Sequence, residues 1–129
     1  MTMKEILDKY KRIAVVGLSN NTWRASYGVS RFMQTVGYHI TPVNPNEVEV
    51  LGEKAYPTLD EVPGSIEIVD IFRRPEFVPE IVDAAIRRSA KVIWMQEGVL
   101  HEEAAKRARA AGLEVVMDRC ILKEQMKNF

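Results

Sequence analysis

One cysteine, Cys120, and two histidines, His39 and His101, are all the thiol and imidazole chemistry in this 129-residue chain. A lone thiol excludes an internal disulfide framework and a multi-thiolate zinc site, and it fits a reducing compartment such as the cytoplasm. The histidines do not suggest a metal. His39 opens a strand-like run, and His101 has only Glu102 and Glu103 beside it, with no ligand spacing. Excess charge of one sign is missing too. Eighteen basic and eighteen acidic side chains cancel, so no overall field favours nucleic acid or an anionic membrane, and any anion site has to be local. Long apolar runs are also absent, which excludes a membrane span. The opening segment mixes Lys4, Glu5, Asp8 and Lys9 with Ile6, Leu7 and Tyr10; it reads as a short amphipathic helix and not as a signal peptide.

Five short apolar runs remain: Ile13 to Val16, His39 to Val43, Ile66 to Phe72, Val92 to Met95, and Glu114 to Met117. Each is nearly continuous, as in parallel strands covered on both faces. Helical spacing lies between them. Val29, Phe32, Met33 and Val36 form one stripe that stops at Gly37, a helix terminator. Val78, Ile81, Val82, Ala85 and Ile86 form a second; Pro79 fits only its first turn, which predicts a start near Val78. Leu100, Ala104, Ala108 and Ala111 form a third, whose alanines predict close packing on a sheet. A final helix is predicted from Arg119 to Phe129, covering the last strand. Between Asn44 and Pro63 there is no convincing helix, and Glu53 to Tyr56 can form a short edge strand. This alternation predicts right-handed crossovers. The expected fold is a Rossmann-like three-layer α/β/α sandwich, a single domain over residues 1–129 with a mostly parallel, doubly wound sheet of five main strands.

Open parallel sheets bind ligands beyond the carboxyl ends of their strands. The residues just after each predicted strand are therefore the candidates. They are Gly17, Ser19, Asn20, Asn21, Arg24 and Ser26 after the first, and Asn44, Pro45 and Asn46 after the second. Arg73 and Arg74 follow the third, Gln96, Glu97 and Gly98 the fourth, and Asp118, Arg119 and Cys120 the fifth. Arg24, Arg73, Arg74 and Arg119 thus share one rim, and guanidinium groups fork well onto phosphate oxygens. The bland alternative is that these arginines only pair with neighbours such as Glu76 or Asp118. Ser26 can cap the helix that follows, touch an anion at its free amides, or do both.

A nicotinamide dinucleotide is the competing ligand, and two features speak against it. Gly17 is followed by Ser19 and not by a second glycine, and the second strand runs into Asn44-Pro45, where an acid would receive the ribose hydroxyls. Cys120 has no evident histidine partner for nucleophilic work, and no catalytic constellation stands out. An NAD(P)-dependent oxidoreductase and a ligand-free scaffold or interaction domain both remain open on these residues. Leu7, Tyr10 and Phe129, read as exposed, permit a homodimer.

Several motifs together resemble the small coenzyme A binding proteins related to the amino-terminal domain of the succinyl-CoA synthetase alpha subunit. They are Val16-Gly17-Leu18-Ser19 with Arg24, Ser26 and Tyr27-Gly28-Val29; Pro42-Val43-Asn44-Pro45; Leu51-Gly52; and Tyr56-Pro57-Thr58-Leu59. Phe72-Arg73-Arg74-Pro75 with Val78-Pro79, Lys91 to Gln96 with Gly98, and Asp118-Arg119-Cys120 complete the set, which covers nearly the whole chain. The resemblance implies a coenzyme A or acyl-CoA site across the strand ends, with the first loop and its helix on the phosphates. It adds Tyr56 and Phe72 to the candidate residues. It implies a binding module and not a complete ligase, because the synthetase histidine that carries phosphate belongs to a second domain; any reaction would come from a partner enzyme. Relatives often carry a lysine directly after the Asn-Pro pair, where this chain has Asn46. Cys120, near the expected thiol end of the ligand, is a candidate for a mixed disulfide with coenzyme A.

Overall fold

The computed structural model describes residues 1–129. Its elements run α1 (Met3–Lys9), β1 (Arg12–Val16), α2 (Ala25–Thr35), β2 (His39–Val43), β3 (Glu49–Val50), β4 (Glu53–Lys54) and β5 (Ile68–Ile71), then α3 (Val78–Arg87), β6 (Val92–Met95), α4 (Glu102–Ala110), β7 (Glu114–Val116) and α5 (Ile121–Asn128). Single 3₁₀ turns occupy Leu59–Glu61 and Pro75–Phe77. Five strands form one sheet in the order β2-β1-β5-β6-β7, and every pairing in it is parallel. The order reverses between β1 and β5. Connections leave those two strands toward opposite edges, so their carboxyl ends border a crevice that no crossover helix covers.

Burial follows the strand alternation. Ile13 and Val15 of β1, Ile68 of β5, and Val92 and Trp94 of β6 face a layer that includes Ile6 and Leu7 of α1, Val29 and Met33 of α2, and Ile121 of α5. Ala14 and Val16, Val69 and Ile71, and Ile93 and Met95 face α3 and α4 on the other side. The Rossmann-like α/β sandwich expected from the sequence is the fold observed, and α3 begins at Val78 as its proline predicts. The alanine stripe meets its expectation in part: Ala104 and Ala108 are fully buried, with Ala105 beside them, while Ala111, the C-cap of α4, is exposed. Arg107 locks α4 to α3 by donating to the Pro79 carbonyl at 3.0 Å and to the Asp83 carboxylate at 2.8 Å.

The structure corrects several expectations. Glu53 and Lys54 do not extend the sheet; they pair with Glu49 and Val50 in a separate antiparallel hairpin, and only Tyr56 bridges to Val43 at the sheet edge. Leu7 is buried, because α1 lies against the sheet and its carbonyl accepts from the Tyr38 hydroxyl at 2.7 Å. Of the residues proposed as a dimer surface, Phe129 is exposed and Tyr10 packs partly against the core. Val36 and Leu100 are exposed, since the helices beside them end at Thr35 and start at Glu102. His101 is the N-cap of α4: its Nδ1 accepts from the Ala104 amide at 3.1 Å. No helix is long and apolar enough to cross a membrane.

Close approach of α4 depends on the small side chains. Ala108→Leu should lower unfolding free energy by about 1–3 kcal/mol through overpacking, measured by urea denaturation; unchanged stability would show that the helix can shift away at no cost.

Candidate functional site

The crevice opens where β1 stops. Gly17 has φ of +95°, and a Cβ built on it would overlap the Phe72 carbonyl oxygen and come within 3.2 Å of Arg73 Cδ. Its own N–H donates to the Val43 carbonyl at 2.8 Å, and the Phe72 N–H donates to the Val16 carbonyl at 2.9 Å. The chain therefore leaves the sheet at one crowded point where only glycine avoids both strain and collision.

The loop after Gly17 is braced by its own polar groups. Ser26, 3% exposed, accepts from the Ser19 N–H at 3.3 Å, and Ser19 Oγ accepts from the Asn21 N–H at 3.0 Å. Asn44 ties the loop after β2 to this one, donating from Nδ2 to the Leu18 carbonyl at 3.1 Å and accepting the Asn46 N–H at 2.9 Å. Helix α2 then starts with Arg24 as its N-cap, and no side chain caps it. Its first free amides open at this end of the sheet.

Two adjoining clefts result. One, of about 630 Å³, is lined by Ser19, Asn44, Pro45, Asn46 and Glu47. The other, of about 750 Å³, is lined by Ser26, Val29, Gln96, Glu97, Gly98, Val99, Cys120, Leu122 and Lys123. Gly17, Arg24, Phe72, Arg73 and Arg74 belong to both. Arg73 lies over the Phe77 ring, its guanidinium carbon 4.2 Å from the centroid, a cation–π placement. Neither Arg24 nor Arg73 has a carboxylate within 4.0 Å, whereas Arg74 meets Glu76 at 3.4 Å. Two unpaired guanidinium groups beside uncapped helix amides make a local positive field in a neutral protein.

Five candidate residues, Asn20, Asn21, Tyr56, Asp118 and Arg119, lie outside these clefts. Asn20 is occupied elsewhere: its N–H and Nδ2 donate to Glu47 at 2.6 and 3.1 Å, and Nδ2 also reaches the Glu49 carbonyl at 2.7 Å. Arg119 turns to Glu124, 3.8 Å away, while its carbonyl accepts from Trp94 Nε1 at 2.8 Å. Tyr56 packs at the sheet edge with Lys54 over its ring. The rim therefore carries three of the four expected arginines. Asp118, also named as an arginine partner, instead accepts the Gly98 N–H at 2.8 Å.

Sequence reading missed Lys123 and Asp70. Lys123 reaches the second cleft from the first turn of α5, bonded to Glu97 at 2.9 and 3.2 Å; that pairing holds the ammonium above its ordinary range. Asp70 sits inside β5, 1% exposed, and accepts from Gln96 Nε2 at 2.6 Å. Burial raises its carboxyl from 3.8 to about 7, with the Gln96 bond opposing the rise. Its signal in the sequence was an acid interrupting Ile68-Val69-Ile71. No group of three metal-ligating side chains is found.

A glycine at the end of β1 and clefts along the carboxyl edge of a parallel sheet are the features of a Rossmann-like domain. Residues 11–126 match the family described as CoA binding domain, and the chain belongs to that family. It is 47% identical over 119 residues to the uncharacterized protein YneT of Bacillus subtilis (strain 168), covering 92% of this chain and 88% of that protein. The Acetate--CoA ligase [ADP-forming] II subunit alpha of Pyrococcus furiosus is 28% identical over 120 residues, which is 84% of this chain but 26% of that subunit. This chain thus spans about a quarter of the ligase subunit. A solved protein from Pyrococcus horikoshii OT3, of unassigned function, superposes with a TM-score of 0.94 at 42% identity, covering 97% of this chain and 88% of its own.

Two outcomes test this geometry. Gly17→Ala should cost about 1–3 kcal/mol for the left-handed backbone alone, read by urea unfolding; a loss under about 0.5 kcal/mol would mean that the backbone at this position relaxes and Phe72 gives way at no cost. Asp70 binds a proton in the native state that the unfolded chain has released between about pH 4 and 7, so its contribution to stability falls as pH rises through that window. The stability of wild type minus that of Asp70→Asn should therefore decline across the window in thermal denaturation. A constant difference would place the Asp70 carboxyl near its ordinary value.

Proposed function

We propose that this chain, as one domain over residues 1–129, binds coenzyme A or an acyl-CoA across the crevice and does not itself catalyse a reaction. The observation that carries the reading is the meeting of the two clefts at Gly17, Arg24, Arg73 and Arg74. A diphosphate bearing a further ribose phosphate needs several cationic donors close together, and the arm of coenzyme A needs a second, less polar channel leading away from them. In this reading Ser19, Arg24, Ser26 and the α2 amides take phosphate oxygens. Asn44, Pro45 and Asn46 line the nucleotide, and Phe72, Arg73 and Arg74 hold the middle. Gln96, Glu97, Gly98 and Cys120 border the arm. Family membership supports the ligand class.

The nicotinamide reading loses ground on Glu47. It is the carboxylate nearest the end of β2, where ribose hydroxyls would be received, and both of its oxygens already accept from Asn20. The ADP-forming ligase subunit that matches is about four times as long, and this reading assigns any catalytic step to a partner enzyme. We place the protein in the cytoplasm on the strength of its one free thiol, Cys120.

Calorimetric titration with coenzyme A, its analogue lacking the ribose phosphate, and NAD tests the reading. Coenzyme A should bind, the analogue should bind more weakly, and NAD should not bind. Arg73→Ala should cost about 1.5–3 kcal/mol of coenzyme A affinity, and Arg74→Ala less, because Arg74 is exposed and already beside Glu76. Folded, ligand-free protein that ignores coenzyme A, or prefers NAD, would overturn the reading.

A further inference from the structure

An ionisable acid in the middle of a parallel sheet needs a reason, because burial penalises its charge and an apolar residue would pack without that cost. Asp70 lies in register with Val15 of β1 on one side and Trp94 of β6 on the other. Its one side-chain partner is Gln96, 2.6 Å away. Gln96 directly follows β6, is 4% exposed, and lines the second cleft. It therefore has one end in the sheet and the other at the cleft floor.

A glutamine amide offers a donor on one side and an acceptor on the other, and a half-turn about its last torsion exchanges them. An ionised carboxylate only accepts. With Asp70 ionised, Nε2 must turn inward, and Oε1 is left as the polar atom that Gln96 can offer the cleft. With Asp70 protonated, its O–H can donate to Oε1 as well, so both orientations are satisfied.

We infer that Asp70 is a positioning residue: through its bond to Nε2 it fixes the Gln96 amide so that Oε1 serves as an acceptor for an amide N–H or thiol S–H on the arm of the bound ligand. The inference rests on the coenzyme A reading and deepens it, assigning the arm a hydrogen-bond acceptor whose availability depends on one buried proton. Other groups on this side of the sheet are accounted for. Tyr38 donates to the Leu7 carbonyl, Arg119 and Glu124 face each other, and Lys123 is bonded to Glu97. Arg24 stands at the start of α2, and Tyr10 and Tyr27 pack partly against this layer. Cys120 is a second ionisable group beside the cleft, and a variant removes it.

The test compares coenzyme A with the terminal methyl ester of 3′-phospho-ADP, which lacks the arm and, like coenzyme A, has no ionisable terminal phosphate, by calorimetry on the full chain at about pH 6 and about pH 8.5, either side of the Asp70 transition. The ratio of the two affinities isolates the arm. It should be about twofold larger at the higher pH, because a neutral Asp70 satisfies either orientation and leaves about half of the amides presenting Oε1. The step should vanish in Asp70→Asn, which can satisfy either amide orientation without a proton, and in Gln96→Met, which has no amide. It should persist in Cys120→Ser. A ratio that does not change with pH in the wild type, or a step that survives in Asp70→Asn, overturns the inference while leaving coenzyme A binding intact. Should Asp70→Asn not fold, survival of the step in Gln96→Met overturns it equally. If neither ligand binds the wild type, the coenzyme A reading fails and this inference fails with it.

Discussion

Everything at the carboxyl edge of the sheet depends on how closely β1 and β5 approach each other where they end. Their ladder continues one step past β5, from the Phe72 N–H to the Val16 carbonyl, while Gly17 is drawn the other way by the Val43 carbonyl. Backbone from three strands converges there, and the missing Cβ at Gly17 leaves room for Phe72 and the stem of Arg73. A larger residue would push Phe72 away and widen the spacing from which Arg73 reaches both clefts. The glycine is thus required for access as much as for its dihedral angle. Parallel topology supplies the crevice, the glycine keeps it narrow, and the arginine gives it its charge.

Neutral overall charge makes that local arrangement easier to see. Some surface cations are matched: Arg87 with Asp60 at 2.7 Å and Arg107 with Asp83 at 2.8 Å away from the clefts, and Lys123 with Glu97 at 2.9 Å beside the second one. Such exposed pairs add little stability, but they cancel the field around them. Arg24 and Arg73 are left unmatched on the same edge, and Phe77 supports the guanidinium of Arg73 without neutralising it. Two unmatched guanidinium groups on one edge attract an anion to the place where the strands end.

How much of this was legible in the sequence divides by the length of the inference. Strand ends and helix starts follow from short-range periodicity, and they placed Gly17, Arg24, Asn44, Arg73 and Gln96 at one edge as observed. Arg119 shows where that logic stops. Its Cα position was right, but a long side chain goes where its nearest charge draws it, and Glu124 one helical turn on proved nearer than the cleft. Asn20 failed for a tertiary reason, its bonds to Glu47 and Glu49 spanning a fold that no local pattern encodes. The hairpin of Glu49–Val50 and Glu53–Lys54 was missed because two-residue strands carry no periodicity. Lys123 was missed because it enters from a helix turn and not from a strand end.

The two clefts differ in character, and that difference orients the proposed ligand. Loops after β1 and β2 line the first with Ser19, Asn44 and Asn46, side chains suited to a nucleotide's hydrogen-bonding edges and hydroxyls. The second runs toward α5 between Val29, Val99 and Leu122, apolar walls that suit a flexible arm of mostly hydrocarbon and amide groups. Both include Arg73, so phosphates at that junction would direct the nucleotide one way and the arm the other. The reverse orientation would bury phosphate charge against the apolar walls, where its desolvation is poorly repaid. In the proposed reading the thiol end of coenzyme A would lie on the Cys120 side, beyond Gln96, and a partner enzyme acting on an acyl group would have to approach from α5.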